Sequence, residues 1–587
     1  MPDTIADSLT GTAGKWLAEF EAAINSSDPA SVENLFHGDS HWRDLVALTW
    51  RIQTISGADG IAASLTPSAD AVKPSGFEID PNRAPPRRVT RAEREVLEAI
   101  IRFETTQGRA SGVLRLIDDD HDKPRAWTLL TALEEIKGFE ESVGKKRPSG
   151  KSYSRDFKGP NWLDQRQSTV AFEDRDPAVL ISGGGQAGLS IAARLTHLGI
   201  DTLVVDRGKR IGDNWRNRYH ALTLHNQVHV NHLPYMPFPP NWPAYIPKDK
   251  VAGWFEAYAE SLELNVWSET EFTGGSYDDQ KGEWSVGLRR ADGTTREMHP
   301  RHVIMATGVS GIPNLPDIPS LKEFGGKVIH SSEYSDASDW AEAKVIIVGT
   351  GNSAHDIAQD LTSHGAAAVT MVQRSPTTIV DVEPSAQLPY ALYDEGPSLE
   401  DCDLIAASAV YQLMKKTHQM FTQQTKEIDK ELHAGLARIG FKMDFGEDDT
   451  GWQFKYLERG GGYYFNVGCS DMLIDGRVGL IQFDDIDAFV AEGVRMNSSE
   501  TLKADLIVLA TGFKGQNYLN RKLFGDGIAD RVGGVWGFDR EAQELRNMWT
   551  RTPQPGLWFH AGSFAQCRIY SKYLALQIKA VEEGLIG

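Results

Sequence analysis

Apolar positions along the first 150 residues change their spacing. Trp16, Leu17, Phe20, Ala23 and Ile24 recur at helical intervals, a second short helix is predicted from Ser31, and the apolar stretch His41–Leu48 follows. A strand-like portion comes next and ends in ASGVLRLIDDD and RAWTLLTALEEI, two apolar, β-branched runs around the acidic turn Asp118–Asp122. The pattern predicts an α+β cone over 1–150. Gly144–Pro160 (GKKRPSGKSYSRDFKGP) offers too little apolar surface for a core and reads as a solvated connection, with the linker placed at 151–176. A basic nucleic-acid tail is the sharper alternative for the same residues. Beyond the linker, units of strand, Gly-rich turn and helix recur, the pattern of doubly wound α/β domains with parallel sheets.

Composition narrows the function. The 61 Lys and Arg against 81 Asp and Glu leave a net charge of −20, which repels nucleic-acid backbones and anionic lipid at long range. No apolar run approaches the roughly 18 residues of a membrane span, and MPDTIADSLTGTAG lacks a basic n-region and an apolar h-region, so a cytoplasmic protein with no membrane partner is expected. Cys402, Cys469 and Cys567 are far apart, which speaks against a disulfide framework, a zinc site and a redox-active pair. Redox chemistry here needs a bound cofactor.

Two segments carry the chemistry. In AVLISGGGQAGLSIAARLTHLGIDTLVVDR a buried strand (Ala178–Ser182) leads into Gly183-x-Gly185-x-x-Gly188, a helix, and a second strand ending at Asp206. Gly183 permits the tight turn, Gly185 lets the backbone approach a pyrophosphate, Gly188 lets helix and strand pack, and Asp206 is placed to accept ribose hydroxyls. A second turn, Gly349-x-Gly351-x-x-Ala354 with Ser353 inside it, follows the strand Lys344–Val348. Where an NAD site would place an acid, this chain has Gln373, Arg374 and Ser375; a guanidinium there suits a 2′-phosphate, so NADPH is the expected ligand. Two dinucleotide sites in one chain imply a resident flavin reduced by a visiting nicotinamide.

At this point residues 177–587 resemble the class B flavin-containing monooxygenases. The most specific feature is Phe324-x-Gly326-xxx-His330-xxx-Tyr334, similar to the family signature FxGxxxHxxx(Y/F). Baeyer–Villiger relatives carry Trp followed by Pro or Asp at its end; Tyr334 and Ser335 resemble the heteroatom-oxidising or plant auxin-forming (YUCCA-like) branch instead. The resemblance implies FAD at the first turn and NADPH at the second. GDNWR (Gly212–Arg216) resembles the GGxW motif and brings Trp215 near the flavin, with Asp213 in a glycine position; MATG (Thr307, Gly308) and LATGF (Thr511, Gly512) resemble the two interdomain crossings. GLWFHAGSFAQ, with Gln566, resembles the C-terminal strand and helix of the FAD domain. The N-terminal cone resembles the NTF2-like (SnoaL-like) fold by pattern alone.

By the same resemblance Asn226, in LTLHNQVHVNHLPYMPFPPNWPAYIP, is a catalytic hydrogen-bond donor beside the isoalloxazine, with a turn-satisfying role as the alternative. His330 is the second catalytic candidate, contacting NADP or linking domains. His220, His225, His229 and His232 are read as wall and loop histidines, with no metal site. The Pro-rich stretch with Tyr235, Phe238, Trp242 and Tyr245 suits a pocket wall or packs as core. Leu404–Met420 and Gly460–Gly468 are placed over the substrate.

The implied fold class is α/β, with two Rossmann-like domains, FAD-binding at 177–318 plus 485–587 and NADPH-binding at 319–484, after an NTF2-like domain. The implied activity inserts one oxygen atom from O₂ into a small organic substrate through a C4a-(hydro)peroxyflavin, at nitrogen or sulfur. Alternatives are Baeyer–Villiger oxygenation, oxidative decarboxylation of a 2-oxo acid, and a non-enzymatic ligand-binding or assembly protein with a vestigial flavin part. Partners are the substrate, O₂ and a possible second copy of the chain.

Overall fold

The computed structural model of the protein describes residues 2–119, 123–148 and 157–586. The first 140 residues form a curved seven-stranded sheet of order 52–56, 36–45, 124–136, 108–118, 94–104, 75–79, with 87–91 paired to 94–104. All neighbours are antiparallel except Phe36–Leu45 and Pro124–Ile136. Helix Pro2–Asn25 lays Trp16 and Phe20 into the concave side, where they meet Phe36, while Phe77 stacks on Phe103 at 4.5 Å. Strand Pro124–Ile136 is buried without alternation from Ala126 to Leu133 because its other face is covered by the C-terminal helix Phe564–Glu582.

Sequence pattern missed parts of this unit. His41–Leu45 already belongs to the strand Phe36–Leu45. Helix Ala58–Val72 was not expected, because its small residues and internal Pro67 blur the apolar spacing. In the acidic turn, residues 120–122 lie outside the described residues, as do 149–156 of the basic connection. The linker placed at 151–176 is corrected: Asn161 and Asp164 form a capping box on helix Trp162–Ala171, and Phe172 is buried against Trp267. Trp267 Nε1 donates to Val170 O (2.7 Å), which ties this segment to the first parallel sheet.

One buried charge dominates the cone. Glu98 accepts hydrogen bonds from Arg87 (2.8 Å), Arg91 (2.9 Å) and Arg115 (2.9 Å). Burial opposes its ionisation, and Arg115 and Arg91 overcome this, holding the carboxyl down at about 2. A depressed acid stabilises the fold above its unfolded pKa and loses that contribution as pH falls toward the folded one. Glu98→Gln should therefore cost roughly 3 kcal/mol above about pH 5, with the deficit fading toward pH 2, as read by urea denaturation at several pH values. A deficit independent of pH would contradict this.

Two five-stranded parallel sheets follow. The first has the order 266–267, 202–205, 179–182, 302–305, 557–559, and the second 327–330, 506–509, 344–348, 368–373, 479–482. Strand Leu506–Leu509 lies between Lys327–His330 and Lys344–Val348, so residues 485–509 belong with the second sheet, not with the first as expected. Parallel pairing is decided by distant partners, which local pattern does not display. The insertion after the fourth strand of the second sheet contains Ser385–Asp394, Leu399–Ala407 and Tyr411–Ile428. The helical portion expected over Leu404–Met420 breaks at 408–410. Among the described residues no helix is long and apolar enough to cross a membrane.

Candidate dinucleotide sites and the cavity between them

The first glycine turn is built as its residues require. Gly183 takes φ +111°, and a Cβ there would sit 2.6 Å from Ala306 O; one at Gly188 would sit 1.8 Å from Gly183 O. At Gly185 the nearest atom would be Asn214 Nδ2 at 3.1 Å, and the residue opens onto a cavity of about 1760 Å³. The amides of Gly184 (2.6 Å) and Gly208 (2.7 Å) donate to opposite oxygens of Asp206. The carboxylate thus braces the turn, and each oxygen keeps a lone pair while Asp206 lines the cavity.

At the second turn Gly349 takes φ +129°, with Ala510 O only 2.3 Å from where a Cβ would lie, and Gly351 and Ser353 line the same cavity. Gln373 is buried, donating to Lys442 O (2.8 Å) and accepting from Lys442 N (2.7 Å). Arg374, at the strand end, is exposed, lines the cavity and has no ion pair among the described residues. An unpaired guanidinium at this place matches a phosphate.

Both turns, Asp206, Trp215, Asn226, Thr307, Gly308, Arg374, Thr511 and Gly512 share this one cavity. Trp215 Nε1 is buried there with no hydrogen-bond partner, a donor waiting for an acceptor. Gly212 has φ +89°, whereas Asp213 adopts helical geometry, accepts from Arg210 N (3.0 Å) and pairs with Arg216, so the missing second glycine leaves the turn intact. The open backbone at Gly185, the orphan Trp215 donor and the helix N-termini suit a dinucleotide with an aromatic ring system.

Two expected site residues lie elsewhere. His330 does not line the cavity: its Nε2–H donates to Gly512 O (3.1 Å) and Nδ1 accepts from Ser332 (2.9 Å to Oγ), and burial lowers its pKa. It ties the strand end to the interdomain crossing and is not placed for catalysis. Gln566 caps its own helix, accepting from Ser563 N (3.0 Å) and from Tyr456 OH (2.9 Å); Gly562, Ser563 and Phe564 face the cavity instead. Family motifs preserve position in the chain but not side-chain direction. Gly188, also outside the cavity, does the packing expected of it.

Asn226 does line the cavity, and its Nδ2 donates to Tyr390 OH (2.9 Å) from the insertion. Burial pushes Tyr390 up to about 12 and His225, also lining, down to about 4, so neither exchanges protons near neutrality. His232 accepts from Phe238 N (2.8 Å), and no group of His, Cys, Asp or Glu placed to hold a metal occurs among the described residues. The aromatic Pro-rich loop is core and not wall: Phe238 stacks on Trp242 (4.8 Å) and meets Trp254 beneath helix Lys248–Ser261. Tyr463 and Phe465 of the Gly460–Gly468 segment line the cavity, joined by Trp452, Tyr390, Arg218 and Arg459. None of these four was foreseen; an isolated aromatic or Arg in a loop or a helical insertion leaves no local signal. Tyr219, from the first unit, donates to the buried Asp356 of the second, whose carboxyl burial lifts to about 6. The three thiols are buried, and burial pushes Cys402 up to about 11 and the other two higher still.

Residues 180–455 match the family described as pyridine nucleotide-disulphide oxidoreductase. The rice (Oryza sativa subsp. japonica) indole-3-pyruvate monooxygenase YUCCA1 is 26% identical over 359 residues, 60% of this chain and 80% of the relative. A probable indole-3-pyruvate monooxygenase of Arabidopsis thaliana, YUCCA4, is 34% identical over 200 residues, so this chain spans 47% of its length. Among solved structures, cyclohexanone-bound cyclohexanone monooxygenase covers 70% of this chain and 88% of its own at 17% identity with TM-score 0.52. OTEMO with FAD and NADP does so over 70% and 87% at 15% identity with TM-score 0.52; both share the fold. With paired glycine turns on one cavity and no reactive thiol pair, the chain is similar to flavin-containing monooxygenases, is an oxidoreductase, and has turns that suit FAD and NADPH.

Proposed function

We propose that the protein is an NADPH-dependent monooxygenase that transfers one atom of O₂ to a small organic substrate, first of all at nitrogen or sulfur. The observation that carries this is the single cavity onto which both glycine turns open, with Arg374 unpaired beside the second. In this reading the first parallel unit, 177–318 with about 513–587, holds FAD, and the second, about 319–509, holds NADPH. When bound, FAD would supply the two-electron carrier between NADPH and O₂. The chain's own residues do the rest. Gly185 and the following helix receive the pyrophosphate, and Trp215 Nε1 donates to the cofactor. The Asn226 amide, fixed by Tyr390, keeps a second N–H that would donate to a flavin bound in the cavity. Tyr390, Trp452, Phe465 and Phe564 keep water out, and His225 and Tyr390 hold fixed protonation states at pH 7, so this wall is no proton source.

A second reading is oxidative decarboxylation of an aromatic 2-oxo acid. Arg459 favours it, as an exposed cation with no ion pair among the described residues, placed beside aromatic Trp452 and Tyr463 on the cavity wall, as do relatives named indole-3-pyruvate monooxygenases. We read the N-terminal cone as NTF2-like from its curved sheet wrapped around one long helix.

The deciding experiment mixes purified protein with NADPH without oxygen and then with oxygenated buffer, alone and with a thioether, an amine or indole-3-pyruvate. The flavin is expected to bleach with NADPH and reoxidise in air, and one substrate class to gain oxygen. A protein that binds no FAD, or whose flavin NADPH leaves oxidised, would refute the reading.

A further inference from the structure

Polar ties join the N-terminal cone to several parts of the chain, among them Arg43 and Thr54 to Glu544 and Glu134 to Lys572, and three groups of them converge on the segment 385–409. Arg43, in strand Phe36–Leu45, donates to Ala407 O (2.6 Å) and Ala409 O (3.4 Å), the carbonyls at the end of helix Leu399–Ala407. Arg83 Nη1 (3.1 Å) and Ala84 N (3.0 Å) donate to the two oxygens of buried Asp401 in the same helix. Arg87 (2.8 Å) and Arg91 (2.6 and 2.8 Å) hold Glu395, the residue that closes Ser385–Asp394. Leu404, Ile405 and Ala407 also join the hydrophobic cluster that fills the cone.

The inner side of that same segment reaches the cavity. Tyr390 OH accepts from Asn226. Tyr393 OH donates to Asp403 (2.8 Å), and Asp403 accepts twice from buried Arg568 (2.7 and 2.7 Å). Arg568 in turn donates to Val230 O (2.9 Å) and His232 O (2.7 Å), in the loop that follows Asn226, and Asn231 donates to Asn226 O (2.9 Å). Helix Leu399–Ala407 therefore lies between the cone's arginines and the loop carrying the amide.

We propose that the N-terminal cone is a positioning element of the oxygen-handling site, fixing the Tyr390–Asn226 pair through the wall segment 385–409. The inference rests on the placement of Asn226 beside the flavin ring. The ties satisfy the buried Asp401 carboxylate and the helix-end carbonyls and pair the more exposed Glu395, so cutting several frees the segment locally without removing its apolar packing. None of these ties reaches the two glycine turns.

The test uses the full-length FAD-loaded protein and the double variant Glu395→Gln/Asp401→Asn, with Arg102→Ala, an arginine that pairs with Glu78 inside the cone, as control. Hydrogen exchange of peptides covering 385–394 and 222–233 is expected to rise about tenfold in the double variant, with 179–200 and FAD content unchanged. Release of H₂O₂ from NADPH and air without substrate is expected to rise about tenfold, while anaerobic flavin reduction by NADPH stays within about twofold. Unchanged exchange in those two peptides, or unchanged H₂O₂ release, would overturn the inference, as would an equal effect of Arg102→Ala. Asn226→Ala separates the two levels. If it leaves H₂O₂ release unaltered, the placement of Asn226 fails and takes the site half of the inference with it, while the exchange data still decide the anchoring.

Discussion

Gly185→Val is expected to yield a folded protein that has lost its flavin. The backbone of Gly185 is extended (φ −82°, ψ −170°), a conformation valine adopts freely, and the nearest atom to its Cβ would be Asn214 Nδ2 at 3.1 Å. The protein itself therefore accepts the side chain. A pyrophosphate at the start of helix Gln186–His197 does not, because two methyl groups would occupy its approach to the backbone amides. FAD affinity should fall at least roughly a hundredfold, about 3 kcal/mol, with far-UV circular dichroism close to wild type and a thermal midpoint close to that of wild type stripped of FAD. The neighbouring Gly188→Ala should behave differently, because its Cβ would lie 1.8 Å from Gly183 O and the turn itself must break. A Gly185→Val protein that elutes yellow with stoichiometric FAD after gel filtration would place the flavin elsewhere.

Arg374→Ala is expected to discriminate between the two nicotinamide cofactors. The guanidinium stands at the end of strand Ala368–Gln373, where no carboxylate among the described residues competes for it, so its partner comes from the ligand. Loss of one charge-assisted contact to a 2′-phosphate should raise KM for NADPH by about 1.5–3 kcal/mol, roughly 10- to 150-fold, and leave NADH within about twofold. Steady-state NADPH and NADH oxidation by the same variant checks this, and equal losses for both would show that Arg374 serves the shared part of the molecule or the fold.

The legible parts of the site are those where a residue type answers a steric or electrostatic demand at one fixed point. Gly183, Gly188 and Gly349 sit where a Cβ would strike backbone, and Arg374 replaces an acid at a strand end, so each was readable without knowing what lay opposite. His330 and Gln566 were misassigned because a motif records sequence and not direction; both turn away from the cavity to close a crossing and to cap a helix. Tyr390, Arg218 and Arg459 were illegible for a different reason: the insertion brings Tyr390 to a hydrogen bond with Asn226, 164 residues apart in sequence, and no local spacing reports such a meeting. The fold divides similarly. Strands and helices with strong apolar spacing were anticipated, whereas the capture of Leu506–Leu509 by the second sheet depended on a choice of neighbour that only the folded chain makes. Helix Ala58–Val72 was lost to alanines and a proline.

The C-terminal helix Phe564–Glu582 packs on helix Gln186–His197 on one side and on strand Pro124–Ile136 on the other, and strand Leu557–Phe559 just before it is the last to join the first parallel sheet. On the ribosome, both early units must therefore wait for residues 557–582 before their apolar faces are covered. A truncation that removes residues 557–582 should accordingly unfold both early units, not merely shorten the first parallel sheet.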